Sequence, residues 1–347
     1  MLEKKHFYSC ACADDERGGL FYCRETEDGH IETVSVTPLR GTNYLCYSPC
    51  GKYLYATWNE GKTGGVAAYA KADDGTLTLL NKAESCGTAN CHLTTSPDGA
   101  WLYCANYSTG NFAEFKLNAD GSIGERTQVL DHHAYPVGPR TDRQEKAHTH
   151  CTRFSRDGKF LYVVDLGVDR IFAYPYTAEQ GISPQAVVTV TDPGDGPRHI
   201  IFDKSGRIAY VVNELGNSVT SYAYDNGTLT KLNKYTTLPD GCDAVTKAAA
   251  IRLSPDEKFL YASNRGYESI ACYRVIKPGE LELFDIVDAH GVSPRDINWL
   301  PEYKYFTASN EFSDGICIYS FDASNGKLTY LKGHDVTDQV RPLCIEF

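Results

Sequence analysis

Apolar residues along the chain fall in short runs that alternate with polar or small residues, and clusters of turn-forming residues separate the runs. That spacing predicts half-buried β-strands. Six of these runs resemble one another, at 65–69, 111–115, 170–174, 218–222, 269–273 and 315–319, each ending on Tyr or Phe. A seventh, Gly19-Leu20-Phe21-Tyr22-Cys23, stands near the start. Polar turns follow, among them Asp73-Asp74-Gly75, Ala119-Asp120-Gly121, Asp225-Asn226-Gly227 and Ser324-Asn325-Gly326. Their Asp-Gly and Asn-Gly pairs suit the positive φ of tight hairpins, so each run is predicted to pair with one further strand.

Upstream of the runs lies a second recurring element, a Ser-Pro-Asp-Gly-like tetrad followed by an apolar-Tyr-apolar strand. Its copies include Ser48-Pro49-Cys50-Gly51 before Tyr53-Leu54-Tyr55, Ser96-Pro97-Asp98-Gly99 before Leu102-Tyr103-Cys104, and Ser155-Arg156-Asp157-Gly158 before Leu161-Tyr162-Val163. Three more stand at 203–206, 254–257 and 300–303, the last two lacking the final glycine. A short apolar strand precedes each tetrad, so the unit is four strands repeated about every 50 residues. Seven such units predict an all-β, seven-bladed β-propeller that occupies residues 1–347 as one domain. The first unit lacks an innermost strand. Residues 341–347 resemble the inner strands at 198–202 and 295–299 but have no tetrad after them. They are predicted to pair with residues 6–10 and close the ring, which removes both open sheet edges.

Composition narrows the function. A net charge of −11 with no long Lys/Arg run makes nucleic acid an unexpected partner. No stretch approaches the ~18 apolar residues of a membrane span, and the start of the chain carries no secretory core, so a cytoplasmic protein is expected. The 13 cysteines are odd in number and form no paired Cys-x-x-Cys set. They read as small buried hydrophobes of a reducing compartment rather than as disulfides or zinc ligands.

Adjacent strands of a blade run antiparallel, so the starts of the innermost strands and the ends of the second strands emerge on one face. The first set gives Asn43, His92, His148 with His150, Arg198 with His199, Lys247, Arg295 and Arg341; the second gives Asn106, Asp165, Glu214, Arg265 and Glu311. The opposite face is expected to carry ordinary turn residues. Any single Arg–Glu pair is read as blade packing, but four arginines at one mouth call for an anion, because uncompensated buried cations are costly. His148 and His150, two residues apart, are expected on one face of a strand, suited to acid/base or hydrogen-bonding work; a metal pair would need a third ligand that the neighbouring sequence does not offer. Asp131-His132-His133, in the long insert before that strand, reads as a solvated loop.

Several stretches together carry a family resemblance: Gly138-Pro139-Arg140 through Arg143-Gln144 to His148-Thr149-His150, Gly194-Asp195-Gly196-Pro197-Arg198-His199, Asn213-Glu214, Ser263-Asn264-Arg265-Gly266, Ser293-Pro294-Arg295 and Asn310-Glu311. The chain resembles, nearly end to end, the seven-bladed lactonase family that includes the propeller-type 6-phosphogluconolactonases. The resemblance implies hydrolysis of a small anionic sugar δ-lactone such as 6-phosphogluconolactone, a pentose phosphate pathway reaction, with no cofactor or metal. It places His150 or His199 as base, Arg198 and Arg295 at the oxyanion, Glu214 orienting a histidine, and Arg265 with Arg341 or Arg140 at the phosphate. His148, Asn106, Asp165 and Glu311 complete the expected substrate-binding set. A histidine base implies activity rising through pH 6–7. Two other readings are a muconate-lactonising cycloisomerase of the same fold and a non-catalytic scaffold, which would display an exposed apolar patch instead.

Overall fold

The computed structural model describes residues 5–13 and 15–346, so residues 1–4 and Phe347, the last residue of the predicted closing strand, lie outside it. Among the described residues there are 29 strands and no helix, gathered in seven small sheets. Six blades begin with the inner strands Leu45–Tyr47, Asn90–Thr95, Thr149–Phe154, Pro197–Phe202, Lys247–Leu253 and Pro294–Trp299. Blade 1 consists of His6–Ala11, Gly19–Glu25 and Ile31–Pro38, and its inner strand is Pro342–Glu346, which pairs antiparallel with the first of these. The predicted closure is therefore present. Blade 4 departs from the four-strand unit: both Gly181–Ile182 and Val187–Val190 pair with Arg170–Thr177.

The repeat motifs have mechanical reasons. Three tyrosines of the apolar-Tyr-apolar strands reach the turn of the next blade: Tyr55, Tyr162 and Tyr261 donate to the carbonyls of Gly121, Gly227 and Gly326 at 3.0, 3.0 and 2.7 Å, whereas Tyr103 donates to Glu114 of its own blade at 3.0 Å. A buried hydroxyl needs such a partner, and in the first three the partner also locks blade to blade. In the tetrads, the Ser96, Ser155 and Ser254 hydroxyls donate to Asp98, Asp157 and Asp256 and accept from the backbone N–H five residues on. The fourth position is left-handed whether or not it is glycine: φ is 69° at Gly51 and 74° at Gly99, but also 59° at Glu257 and 58° at Tyr303. Each of those two side chains tolerates a conformation that costs about 1–2 kcal/mol.

One register irregularity recurs and positions the site. In six blades the pairing of the inner strand with its neighbour slips near its start, between Asn90 and His92, Thr149 and Cys151, Pro197 and His199, Ala248 and Ile251, Pro294 and Asp296, and Pro342 and Cys344. The skipped residues in four of them are Cys91, His150, Arg198 and Arg295. A bulge of this kind re-aims a side chain out of the ladder, and here it does so at the same level around the axis.

Candidate active site

Asn43, Cys91, His150 and Arg295 from the inner-strand starts meet Glu214 and Arg265 from the second-strand ends around a cavity of about 130 Å³. Tyr107 and Arg143 complete its wall. Topology places Asn43, His150, Arg295, Glu214 and Arg265 at one mouth; in blade 3 it points to His92, whereas the structure puts the preceding residue, Cys91, in the wall. Arg143 and Tyr107 sit on loops rather than at strand ends, so counting along the strands misses them, although Arg143 falls within the insert motif.

Two carboxylates organise the cations. Glu214 lies 2.6 Å from Arg143, 2.7 Å from Arg265 and 3.2 Å from Arg198, while Glu311 lies 3.2 Å from Arg295 and 3.0 Å from Arg341. Burial opposes ionisation of Glu214, but Arg265, Arg198 and Arg143 outweigh it and hold its carboxyl well below the usual range. Glu311 is held down in the same way by Arg295 and Arg341 against its burial. The arginines are thus partly compensated, as the reading of single Arg–Glu pairs as packing expects. Five guanidinium groups on two carboxylates still leave an excess of three positive charges.

The histidines separate into distinct roles. His150 lines the cavity, and its Nδ1 finds no hydrogen-bond partner among the described residues. Burial, then Arg198, pushes its pKa well below the ordinary value, so the ring is neutral at pH 7. His199 stands behind: its Nε2 is 3.2 Å from the Arg198 guanidinium, which can only donate, so that nitrogen is an occupied acceptor. His199 is therefore not placed to act as base. His148 does not share a face with His150 in the way the two-residue spacing predicts. It precedes the strand, stacks on Tyr107, and contacts the Tyr107 carbonyl at 2.9 Å and Glu145 at 3.1 Å.

Other expected site residues are structural. Arg198 lies outside the cavity wall and donates to the Ala249 carbonyl at 2.7 Å, fixed behind Glu214. Asn106 is fully buried among Asn90, Ser85 and Asn111. Asp165 accepts from the His148 and Gly167 N–H groups and faces His132 Nδ1 at 2.8 Å. Arg140 donates to the Leu215 carbonyl, away from the cavity. Glu214 orients arginines and makes no hydrogen bond to a histidine among the described residues. Asp131 and His133 are exposed as expected of a loop, but His132 is buried, stacked on Phe172 and bonded through Nε2 to Tyr174 at 2.9 Å. Among the described residues no group of three or more His, Cys, Asp or Glu side chains is gathered to hold a metal ion. All 13 cysteines are free, and most are buried.

Known proteins agree with this architecture. Residues 9–347 match the family described as Lactonase, 7-bladed beta-propeller. An uncharacterized protein of Staphylococcus saprophyticus is 35% identical over 299 residues, 85% of either chain. A proposed 6-phosphogluconolactonase from Bacteroides fragilis superposes with a TM-score of 0.91 at 29% identity, covering 100% of this chain and 98% of its own. The periplasmic gluconolactonase PpgL of Pseudomonas aeruginosa also gives 0.91, at 27% identity, covering 99% of this chain and 98% of its own. With the blade pattern, the closing strand and the match over residues 9–347 all agreeing, the chain belongs to the seven-bladed β-propeller lactonase family.

Proposed function

We propose that the protein hydrolyses a phosphorylated sugar δ-lactone in the cytoplasm, 6-phosphoglucono-1,5-lactone to 6-phosphogluconate being the reaction that best fits its cavity. One observation carries this reading: a neutral histidine with a free ring nitrogen lines a cavity whose surroundings hold three more positive than negative charges. The excess matches an anionic substrate, each charged hydrogen bond contributing about 1.5–3 kcal/mol.

In this mechanism His150 takes a proton from water as the oxygen attacks the lactone carbonyl carbon. The carbonyl oxygen becomes an oxyanion beside Arg295, whose charge interacts most strongly once that anion has formed. Collapse breaks the ring C–O bond, and the imidazolium returns the proton to the departing alkoxide. Arg265 and Arg143 hold the phosphate, with Arg341 at the rim. Arg198 acts as a positioning residue through Glu214, and His199 fixes Arg198 in turn. A ring-opening assay on fresh 6-phosphogluconolactone, with and without chelator, tests the proposal. Turnover that persists in chelator is expected; a rate no greater than that of buffer overturns it.

A further inference from the structure

The axial channel has a second mouth, on the face where the repeat predicts only turn residues. Five inner-strand residues there occupy one register position, opposite the second-strand Tyr or Thr: Arg153 faces Tyr162, Ile201 faces Tyr210, Arg252 faces Tyr261, Asn298 faces Thr307 and Glu346 faces Tyr8. Equal register in successive blades sets these residues at one level around the axis. They line a cavity of about 530 Å³, within the usual range of small-molecule sites and larger than the 130 Å³ cavity at the other end. Three residues further along the inner strands than His150 in blade 4, this ring is separated from the first mouth by the buried Tyr44, His92, Cys151 and His199.

The charges of this mouth do not balance locally. Arg252 is paired with Asp296 at 3.0 Å. Arg153 forms no salt bridge among the described residues, and its Nε is buried without a hydrogen-bond partner there. Glu346 is poorly placed to neutralise it, because burial raises its pKa to about 7 against the pull of Arg252 and Arg153. Arg156 and Lys204 stand at the rim with one carboxylate, Glu257, which accepts from the Lys204 N–H at 2.7 Å, and the aromatic walls are Phe202 and Trp299. A half-buried guanidinium without a salt-bridge partner beside aromatic surface fits an amphipathic anion.

We infer that this second mouth is a binding site, distinct from the lactone site, for a small organic anion that carries one carboxylate or phosphate attached to an apolar ring. The anionic group meets Arg153, and the ring lies against Phe202 and Trp299. The inference is independent of the lactone reading, because none of these residues touches the first cavity.

Phenyl phosphate is the probe, titrated calorimetrically into the full-length parent, Arg153→Gln, Glu346→Gln and Arg265→Ala. The parent is expected to show two binding events. Arg153→Gln weakens one by about 10-fold or more, the loss of one charged contact, while its lactone kcat/KM stays within about twofold of the parent. Glu346→Gln tightens the same event, and Arg265→Ala leaves it intact while removing the other. Arg153→Gln also keeps the melting temperature of the parent, since it deletes a half-buried charge that no salt bridge holds. Absence from the parent of any binding event that survives Arg265→Ala overturns the inference. So does an Arg153→Gln variant that melts lower with unchanged binding, which would make Arg153 a packing residue.

Discussion

Replacing Glu214 by Gln gives a strong perturbation with almost no change of shape. The carboxylate is buried and is the shared counter-ion of Arg143, Arg265 and Arg198 at 2.6–3.2 Å. The amide removes the negative charge and leaves three guanidinium groups facing one another across a desolvated site. Breaking a buried ion pair costs about 3–5 kcal/mol. With an unfolding entropy of about 2.1 cal/mol/K per residue, a chain of this length loses roughly 4–7 °C of Tm for that cost. Differential scanning calorimetry measures it, and inorganic phosphate supplies a diagnostic arm: an anion that refills the cluster should raise the Tm of Glu214→Gln more than that of the parent. A variant that melts within about 1 °C of the parent, with no added response to phosphate, would show that the arginines do not depend on Glu214.

Four further outcomes follow from the geometry. Deleting residues 342–346 removes the inner strand of blade 1 and exposes two sheet edges, so the truncated chain should aggregate or fail to fold; a monodisperse product with parental Tm, seen by light scattering and calorimetry, would refute the closure. His92, His150 and His199 all have pKa values pushed well below the ordinary one, first by burial and next by neighbouring arginines. The unfolded chain therefore binds protons that the folded state refuses, so stability is full above about pH 6.5 and falls below it, by up to about 1.4 kcal/mol per pH unit for each histidine, and denaturant titrations that are flat down to pH 5 would contradict this. For the same reason kcat/KM should be level from about pH 6.5 to 8, with its acid limb displaced below the 6–7 expected of an ordinary histidine. Finally, His150→Gln should lower kcat by about 10²–10⁴-fold, whereas His199→Gln should chiefly lower Tm; the reverse split would exchange their roles.

Strand periodicity, tetrads and turn chemistry made the blades and their closure legible, because a propeller repeats the same local solution and each copy corrects the reading of the others. The mouth where the arginines gather was legible too, since strand order alone determines which ends converge. What could not be read was the depth of each side chain. Asn106 and Asp165 are the last residues of their strands and turn into hydrogen-bond networks with Asn90 and His132, whereas Glu214 stands one residue past the end of its strand, Ile208–Asn213, as Tyr107 does past Asn106. The bulge that sends His150 into the cavity is a register slip between Thr149 and Cys151, and no residue type at that point announces it. Arg153 and Arg252 escaped notice for a similar reason: they lie inside runs that read as core strand, and only the pairing register shows them at the second mouth. The signal that could have found them is charge at the same offset in two inner strands.

The central claim is that the arginine-rich mouth reads a phosphate while His150 opens a lactone ring. The most direct test is the kcat/KM of the parent and of Arg265→Ala on freshly prepared 6-phosphogluconolactone and on unphosphorylated gluconolactone, with both proteins confirmed folded by calorimetry. The account predicts that the substitution raises KM for the phosphorylated lactone by roughly 10–150-fold and leaves the unphosphorylated one nearly unchanged. An equal loss on both substrates, or turnover of neither by the parent, would contradict it.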